Sequence, residues 1–226
     1  PHTVEAMVGV DHITFGLKEG NRITVANMCP DWRHFDVICD GEFYCHLDLG
    51  VLGKHNALNA LAAAGAAWMM GIPGEAVSRG IESFHGAGRR MEHKGEFNGA
   101  DVYDDYAHHP DEVAATIASI RASMPEKRIV LAFQPHTYTR TKALFDDFVR
   151  ELQKADVLVL AEIYAARERN TVGISSADVA AQIPGSIYCE TLPEVTEYLR
   201  GHVQPGDIVL TMGAGDIFRA GEALLK

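Results

Sequence analysis

Residues 102–110 read VYDDYAHHP, and this stretch predicts a β-strand that ends where a helix begins. Its first residues are of types that strands favour, and the Asn98-Gly99 pair just before it is typical of a hairpin turn. Pro110 suits the first position of a helix, and the two acidic residues after it complement the helix dipole. Two carboxylates and two imidazoles are therefore expected at the carboxyl end of a strand, the edge at which ligands bind to α/β sheets.

The four polar residues of this stretch can be explained in two ways. Asp104 or Asp105 could cap a loop, His109 could be the N-cap of the helix, and His108 could lie on the surface. Four adjacent polar groups at a ligand edge are harder to explain by packing alone. The stretch therefore also indicates a binding or catalytic site.

Outward from this stretch, the sequence alternates between strands and helices. Apolar runs typical of buried parallel strands are residues 128–133, 156–161 and 207–212, with a short strand at 186–189. Helices are predicted from Pro110 onward and at residues 143–153, 176–183, 193–200 and 217–225. This alternation predicts an α/β fold with a Rossmann-like, doubly wound, mostly parallel sheet.

Polar residues are concentrated in the loops that follow these strands. Because the carboxyl ends of parallel strands meet at one edge of a sheet, these loops are expected to lie together. The loops are residues 105–109, 134–140, 162–171 and 213–216. Such an edge can hold an anionic substrate and a nucleotide.

The first part of the chain has a different pattern. Three short β-rich runs separated by turn residues predict an antiparallel meander, at residues 13–17, 22–26 and 35–38. Two helices follow, an alanine-rich one at 55–71 and a shorter amphipathic one at 75–84. The Gly86-Ala87-Gly88 break then predicts a domain boundary near residue 88.

Composition excludes several classes of protein. The net charge of −11 argues against binding nucleic acid or an anionic membrane through bulk charge. The four cysteines form no CxxC pair, so neither a zinc site nor a redox motif is indicated, and free thiols in a reducing cytosol are expected. With no apolar run long enough to span a bilayer and no signal-peptide pattern, we expect a cytoplasmic protein.

Two glycine-rich stretches bear on nucleotide binding. Gly213-Ala214-Gly215 follows a strand, but Phe218 stands where a dinucleotide-binding motif has its third glycine. A tight turn at a helix N-terminus, facing a ligand anion, is the better interpretation. A phosphate-binding GxxxxGK[ST] loop is absent, because Gly53-Lys54 is followed by His55 and lacks the upstream glycine.

The sequence also resembles a known family. DDYAHHP, with GRRMEHKGE before it and FQPHTYTRT, EIYAARE and MGAGDI after it, resembles the Mur ligases, and the whole match covers roughly residues 53–218. The resemblance implies a ligase that uses ATP and Mg²⁺ in peptidoglycan precursor synthesis. In the alanine-adding branch, which is the most similar, ATP phosphorylates the lactyl carboxylate of UDP-N-acetylmuramate. The amine of L-alanine then attacks the acyl phosphate.

The resemblance also implies a domain organisation. Residues 1–88 match the later part of the family's central, ATPase-type domain, and residues 89–226 match its Rossmann-like C-terminal domain. The family carries its UDP-binding domain and its phosphate-binding loop upstream of these parts. We therefore expect a fragment that is inactive alone and whose main Mg²⁺ ligands lie elsewhere.

Roles for individual residues follow from the same resemblance. His55, Asn56 and Asn59 match residues beside the adenine, and an amide can both donate to and accept from an adenine edge. Arg90 matches an arginine that contacts the nucleotide, and Asp105 matches an acid that binds the ribose. The reaction itself would fall to His108, His109, His136 and Arg140.

Within that last group, His108 and His109 match imidazoles facing the sugar acid and the reacting centre. His136 and Arg140 match the amino-acid end of the site, where many relatives also have an arginine in place of Thr137. Arg140 could also be a surface residue near the start of a helix.

Two other functions remain open. A murein-peptide-recycling ligase would share the HHP feature, but the FQPHTYTRT segment favours the alanine-adding branch. A nucleotide-binding module without catalysis is the other alternative, and the missing phosphate-binding loop favours it.

Overall fold

The chain divides into two compact units, Pro1–His85 and Gly86–Lys226, each described here by itself. The structure is a computed structural model that describes residues 12–226. Residues 1–11, which the sequence assigns to the predicted domain of residues 1–88, lie outside the described residues. Within residues 12–226, no helix combines the length and the apolar character that crossing a membrane requires.

The first unit contains the predicted antiparallel meander with two helices packed on it. Its elements are β1 (Ile23–Ala26), β2 (His34–Cys39), β3 (Glu42–Asp48), α1 (Lys54–Met69) and α2 (Gly74–Glu82). The three strands pair antiparallel in the order β1-β2-β3. Phe35, Val37 and Leu47 of the sheet share a buried core with Leu61 and Ala64 of α1.

Two expectations for this unit were wrong in detail. Residues 13–17 form no strand, because the chain turns back at once and only Phe15 makes an isolated bridge with Ile23. Asn21 closes that turn with a hydrogen bond to the carbonyl of Lys18 (2.8 Å). Strand β3 was not predicted, because its EFYCHLD sequence mixes charged with apolar residues.

The second unit has the predicted α/β fold. Its elements are β4 (Glu92–Phe97), β5 (Ala100–Asp105), α3 (Pro110–Ser123), β6 (Ile129–Phe133), α4 (Tyr138–Ala143), α5 (Phe145–Leu152), β7 (Val157–Ala161), α6 (Ser176–Ala180), β8 (Ile187–Cys189), α7 (Leu192–His202), β9 (Ile208–Met212) and α8 (Phe218–Leu224). The strand order is β4-β5-β9-β6-β7-β8, and only β4 runs antiparallel to its neighbour. This confirms a mostly parallel, doubly wound sheet.

Helices cover both faces of this sheet, as a doubly wound fold requires. On one face, α3, α5 and α6 contribute Ile117, Phe148 and Val179 to a core with Leu131 and Leu210. On the other face, α7 and α8 pack Val195, Leu199 and Leu224 against alternate residues of the same strands. Strands buried on both faces explain the continuous apolar runs in the sequence.

The helix predicted at residues 143–153 is interrupted. Helix α5 begins at Phe145, and a separate short helix, α4, precedes it, so Arg140 lies in a helix rather than in a loop. Helix α6 ends at Ala180, earlier than predicted. These helices are short, and their packing, not a periodic sequence, sets where they end.

The β4–β5 hairpin forms as predicted and points β5 toward the site. Asn98 and Gly99 both have positive φ (51° and 75°), the geometry of the two-residue turn that this pair favours. Strand β5 then pairs in parallel with β9, which also pairs with β6. The carboxyl ends of β5, β9, β6 and β7 are consequently neighbours at one edge.

Candidate functional site

Backbone hydrogen bonds join the four loops at this edge. The N–H of Gly213 donates to the carbonyl of Asp105 (3.0 Å), and the N–H of Gln134 donates to the carbonyl of Met212 (3.0 Å). The N–H of Tyr164 donates to the carbonyl of Pro135 (2.8 Å). The loops expected to gather after β5, β6, β7 and β9 therefore do so.

Arg89, which the sequence did not single out, forms a bridge across the edge. Its Nε donates to Asp104 Oδ2 (2.7 Å), and its two terminal nitrogens donate to the carbonyls of Gly213 (2.7 Å) and Gly215 (3.1 Å). Its guanidinium also lies over the rings of Tyr106 and Phe218, 5.0 and 4.7 Å from their centroids. We call this group the arginine bridge; Asp104, its anionic partner, is only 1% exposed.

The glycines of residues 213–215 serve close packing. A Cβ on Gly215 would lie 2.3 Å from Gln134 Oε1 and 2.7 Å from the Tyr164 ring. The N–H groups of Asp216 and Ile217 donate to the same Gln134 oxygen (3.0 and 3.1 Å). These two donors are therefore taken by a neighbouring loop, and the idea that the turn faces a ligand anion stays a prediction for the rest of the turn.

Asp105 is a buried carboxylate with two backbone partners. Its Oδ1 accepts from the N–H of Ala107 (2.7 Å), and its Oδ2 accepts from the N–H of Met91 (2.9 Å). Burial raises the pKa of Asp105 above its ordinary value, although these hydrogen bonds and nearby Arg90 oppose the shift. In this arrangement Asp105 braces the turn after β5 against the start of β4.

The two adjacent histidines are arranged around the start of α3. His109 is its N-cap, and its Nδ1 accepts from the N–H of Asp111 (3.4 Å). His108 Nδ1 lies 3.3 Å from Glu112 Oε2 and 3.0 Å from the carbonyl of Tyr106. Burial works against the ionised form of Glu112, but hydrogen bonds from the N–H groups of His108 and His109 hold its pKa below the ordinary value. The capping interpretation of His109 is thus confirmed.

The loop of residues 134–140, here called the histidine loop, differs from the neighbouring loops because it has buried side-chain nitrogens without hydrogen-bond partners in the described residues. Within residues 12–226, neither His136 Nδ1 nor Arg140 Nη1 has a hydrogen-bond partner, although both atoms are buried. The His136 ring stacks on Tyr164 (centroids 5.6 Å apart) and lies 6.0 Å from the His108 ring. Burial, with the positive charges of Arg140 and His108, lowers the pKa of His136. The site therefore presents a neutral imidazole beside a guanidinium.

Backbone strain marks the same loop. Thr137 has φ +69° and ψ 140°, a conformation that is unfavourable for a β-branched residue. Three hydrogen bonds hold it: its N–H donates to the carbonyl of Tyr164 (2.9 Å), and its carbonyl accepts from the N–H (3.2 Å) and the hydroxyl (2.7 Å) of Thr141. Strain of this kind persists only where the surroundings fix the backbone.

The remaining predicted residues are exposed or lie in the first unit. The Arg90 guanidinium makes no hydrogen bond or ion pair with any residue of the described range, and it approaches the Tyr106 ring at 5.8 Å. In the first unit, Asn56 Nδ2 donates to the carbonyl of Leu52 (2.8 Å), while Asn59 contacts Asn56 Oδ1 (3.5 Å). His55 is exposed in the first turn of α1.

Comparison with known proteins identifies the family. A family profile described as "Mur ligase, glutamate ligase domain" matches residues 89–215, more than half of the chain. The chain belongs to the Mur ligase family.

Two curated relatives that match most of the chain carry the same name. The chain is 46% identical over 196 residues to the UDP-N-acetylmuramate–L-alanine ligase of Lachnospira eligens, covering 85% of this chain and 42% of that protein. It is 40% identical over 231 residues to the ligase of the same name from Clostridium novyi, covering 99% of this chain and 50% of that protein. The chain thus spans about half the length of the curated relatives it matches.

A solved structure agrees with the fold. The crystal structure of the UDP-N-acetylmuramate–alanine ligase from Thermotoga maritima superimposes with a TM-score of 0.80 at 27% identity, covering 98% of this chain and 49% of that one. The resemblance inferred from the motifs and the predicted α/β fold are both confirmed.

Proposed function

We propose that this chain is part of an ATP-dependent ligase that joins L-alanine to the lactyl carboxylate of UDP-N-acetylmuramate. The observation that carries the proposal is the pair of buried nitrogens, His136 Nδ1 and Arg140 Nη1, that have no partner in the described chain. Buried polar atoms are costly unless a partner satisfies them, so two at one ligand edge favour a polar substrate there. The names of the relatives support the choice of substrates.

On the amino-acid side, Arg140 would bind the carboxylate of L-alanine. A guanidinium matches a carboxylate in geometry and charge, and Nη1 has a donor to spare. The amine must lose a proton before it attacks an acyl phosphate. A neutral imidazole has one acceptor nitrogen, and the lowered pKa of His136 favours that neutral form, so the ring is suited to accept a hydrogen bond from the amine.

On the sugar-acid side, His108 and His109 would face the lactyl carboxylate and its phosphorylated form. Negative charge develops on the phosphoryl oxygens during transfer, and donors held in place stabilise it. His108 is already fixed through Nδ1 by Glu112 and the Tyr106 carbonyl, so its Nε2 is the nitrogen proposed for the substrate. The cap made by His109 also uses Nδ1 and leaves Nε2 for the same purpose.

The nucleotide contacts are proposed in both units. Arg90 is exposed and without an ion pair in the described range, so it fits a phosphate or nucleotide contact. Asp105 would reach a ribose hydroxyl only through lone pairs that its two N–H partners leave over. His55, Asn56 and Asn59 lie on the first turns of α1 and are proposed beside the adenine.

Mg²⁺, which Mur ligases use with ATP, would neutralise charge on the phosphates. No cluster of three or more His, Cys, Asp or Glu side chains among residues 12–226 could hold a metal ion. We therefore assign no metal ligand to the described residues and route no step through the ion.

We also propose that residues 1–88 belong to the ATP-binding domain and residues 89–226 to the C-terminal domain of the ligase. Because the 226 residues contain no GxxxxGK[ST] loop, the chain alone is expected to turn over no substrate. A test of activity therefore needs a complete enzyme.

A hybrid protein provides that test. Residues 12–226 replace the matching half of the Clostridium novyi ligase, with which 99% of this chain aligns. We expect ADP release that requires both UDP-N-acetylmuramate and L-alanine. Folding of the hybrid is checked by circular dichroism and by sedimentation, with the parent ligase as the reference.

Three outcomes separate the alternatives. Turnover with L-alanine supports the proposal. Turnover with L-Ala-γ-D-Glu-diaminopimelate but not with L-alanine contradicts it in favour of the recycling ligase. A folded hybrid that binds Mg-ATP but forms no amide with either acceptor leaves only the nucleotide-binding module.

A further inference from the structure

The carboxylate of Glu168 links the loop that follows β7 to the histidine loop through Thr139. We call this contact between Glu168 and Thr139 the clasp. Glu168 Oε2 accepts from the N–H of Thr139 (3.0 Å), and Glu168 Oε1 accepts from the hydroxyl of the same residue. Thr139 lies in the first turn of α4, whose N-cap, Thr137, makes no side-chain cap. Glu168 thus accepts from an N–H group in the first turn of α4, which receives no capping hydrogen bond from the side chain of its own N-cap residue.

The clasp joins two strained turns. Thr137 on one side and Ala166 on the other both have positive φ (69° and 51°) although neither is glycine. The backbones also pair through Tyr164, which donates to the Pro135 carbonyl and accepts from the Thr137 N–H (2.8 and 2.9 Å). Glu168 closes the far end of this pairing, where no further backbone bond between the two loops is formed within the described chain.

The position of the clasp matters because Arg140 directly follows Thr139. A misplaced guanidinium loses bidentate geometry, and errors of about 1 Å can cost on the order of 100-fold in rate. Glu168 is also the anion whose field reaches His136, where it opposes the effects of Arg140 and His108 on the imidazole. One carboxylate is therefore placed to hold the segment that carries the guanidinium and to limit the lowering of the pKa of the His136 ring.

We propose that Glu168 is a positioning residue, which holds Arg140 and His136 in the arrangement that receives the amino-acid substrate. The inference rests on the proposed function for the identity of that substrate. Glu168 itself is not placed in contact with the substrate, because both of its oxygens are used by Thr139.

The first experiment needs only the 226-residue chain. Backbone amide exchange at Thr139 and the titration of the His136 ring are followed by NMR in Glu168→Ala, Glu168→Gln and the control Glu126→Gln. Glu126 is exposed in the turn before β6, at the opposite end of that strand. The glutamine variant keeps an acceptor oxygen for Thr139 but removes the charge, so it separates the two parts of the role.

We expect exchange at Thr139 to rise about tenfold or more in Glu168→Ala and to stay near the original rate in Glu168→Gln. The pKa of His136 should fall in both Glu168 variants, because the carboxylate favours the protonated ring. The control should change neither quantity. Unchanged exchange at Thr139 in Glu168→Ala would overturn the inference, whatever the enzyme's substrate proves to be.

The second experiment uses the hybrid ligase. Glu168→Ala is expected to raise the KM for L-alanine about 10- to 100-fold while the KM for ATP stays within twofold, and Glu168→Gln should restore most of the loss. If exchange at Thr139 responds but the KM for L-alanine does not, the clasp is only structural and the inference fails. If the unsubstituted hybrid forms no amide with L-alanine, the proposed function fails instead, and the NMR result stands separately.

Discussion

Two polar groups at the same sheet edge differ in how many of their buried polar atoms have hydrogen-bond partners. The arginine bridge pairs Arg89 with a carboxylate, two carbonyls and two rings, all from its own unit. The histidine loop, on the next strand, has two buried nitrogens with no partner in the described chain and a strained threonine. Charge and burial alone therefore do not mark a ligand site, and unmet hydrogen bonds mark one better.

The bridge should therefore matter for stability and the loop for binding. Removing one partner of a buried ion pair leaves an uncompensated charge and lowers the free energy of unfolding. Removing a donor that has no partner breaks no hydrogen bond, so the free energy of unfolding changes little. The following variants test that division, beginning with the largest expected effect.

Arg89→Ala should lower the free energy of unfolding by about 3–5 kcal/mol, because it leaves Asp104 buried without its cation. Urea unfolding followed by circular dichroism measures the change. The adjacent Arg90→Ala is the matched control and should shift the value by less than about 0.5 kcal/mol. Equal effects of the two variants would remove the distinction between bridge and exposed arginine.

Gly215→Ala should cost about 1–3 kcal/mol, since its Cβ would lie 2.3 Å from Gln134 Oε1 and 2.7 Å from the Tyr164 ring. Gly201→Ala in α7 is the control, where the added methyl meets no atom within 4 Å. There a gain of about 0.5–1 kcal/mol is expected from helix propensity. The same urea titration measures both free energies of unfolding. An unchanged free energy of unfolding in Gly215→Ala would mean that this edge of the sheet can rearrange.

Thr137→Gly should stabilise the chain by about 1 kcal/mol, because relief of strain exceeds the entropy cost of a glycine. In the hybrid ligase it should also weaken L-alanine binding, since the loop becomes freer. The measurement combines the urea midpoint with the KM for L-alanine. A clear loss of stability would show that Thr137 is not strained.

The smallest effect concerns pH. Folding lowers the pKa of His136, so above the ordinary value of 6.5 the ring is neutral in both states and contributes no pH dependence. As the pH falls through 6.5, the unfolded chain takes up the proton first and stability is lost. His136→Gln should remove that part of the loss between pH 7.5 and 5.5, measured by thermal unfolding. A variant with the same pH dependence as the original chain would contradict the lowered pKa.

Much of the fold could be predicted because its signals are local. The apolar runs at β6, β7 and β9, the Asn98-Gly99 turn and Pro110 each carry their own physical reason. Short elements such as α4 and the bounds of α6 could not be predicted, because contacts made by distant residues, including Glu168 on Thr139, decide them.

The site was accessible from sequence only in part. Motif positions predicted His136 and Arg140, but no pattern shows that their nitrogens lack partners. Arg89 was overlooked because tandem arginines usually lie on the surface, and its partners, Gly213 and Gly215, are more than a hundred residues away. The alternation of strand β5 was the available signal, because it puts Asp104 on the same face as Val102 and so predicts a buried carboxylate that needs a cation.

We propose that the histidine loop receives the amino acid and that Arg90 contacts the nucleotide. The direct test is to measure KM values for L-alanine and ATP in the hybrid ligase carrying Arg140→Ala or Arg90→Ala. Loss of a buried charge contact costs about 2–5 kcal/mol, so Arg140→Ala should reduce kcat/KM for L-alanine by about 30-fold or more, with the KM for ATP nearly unchanged. Arg90→Ala should show the reverse pattern. Unchanged alanine kinetics in Arg140→Ala would contradict the account.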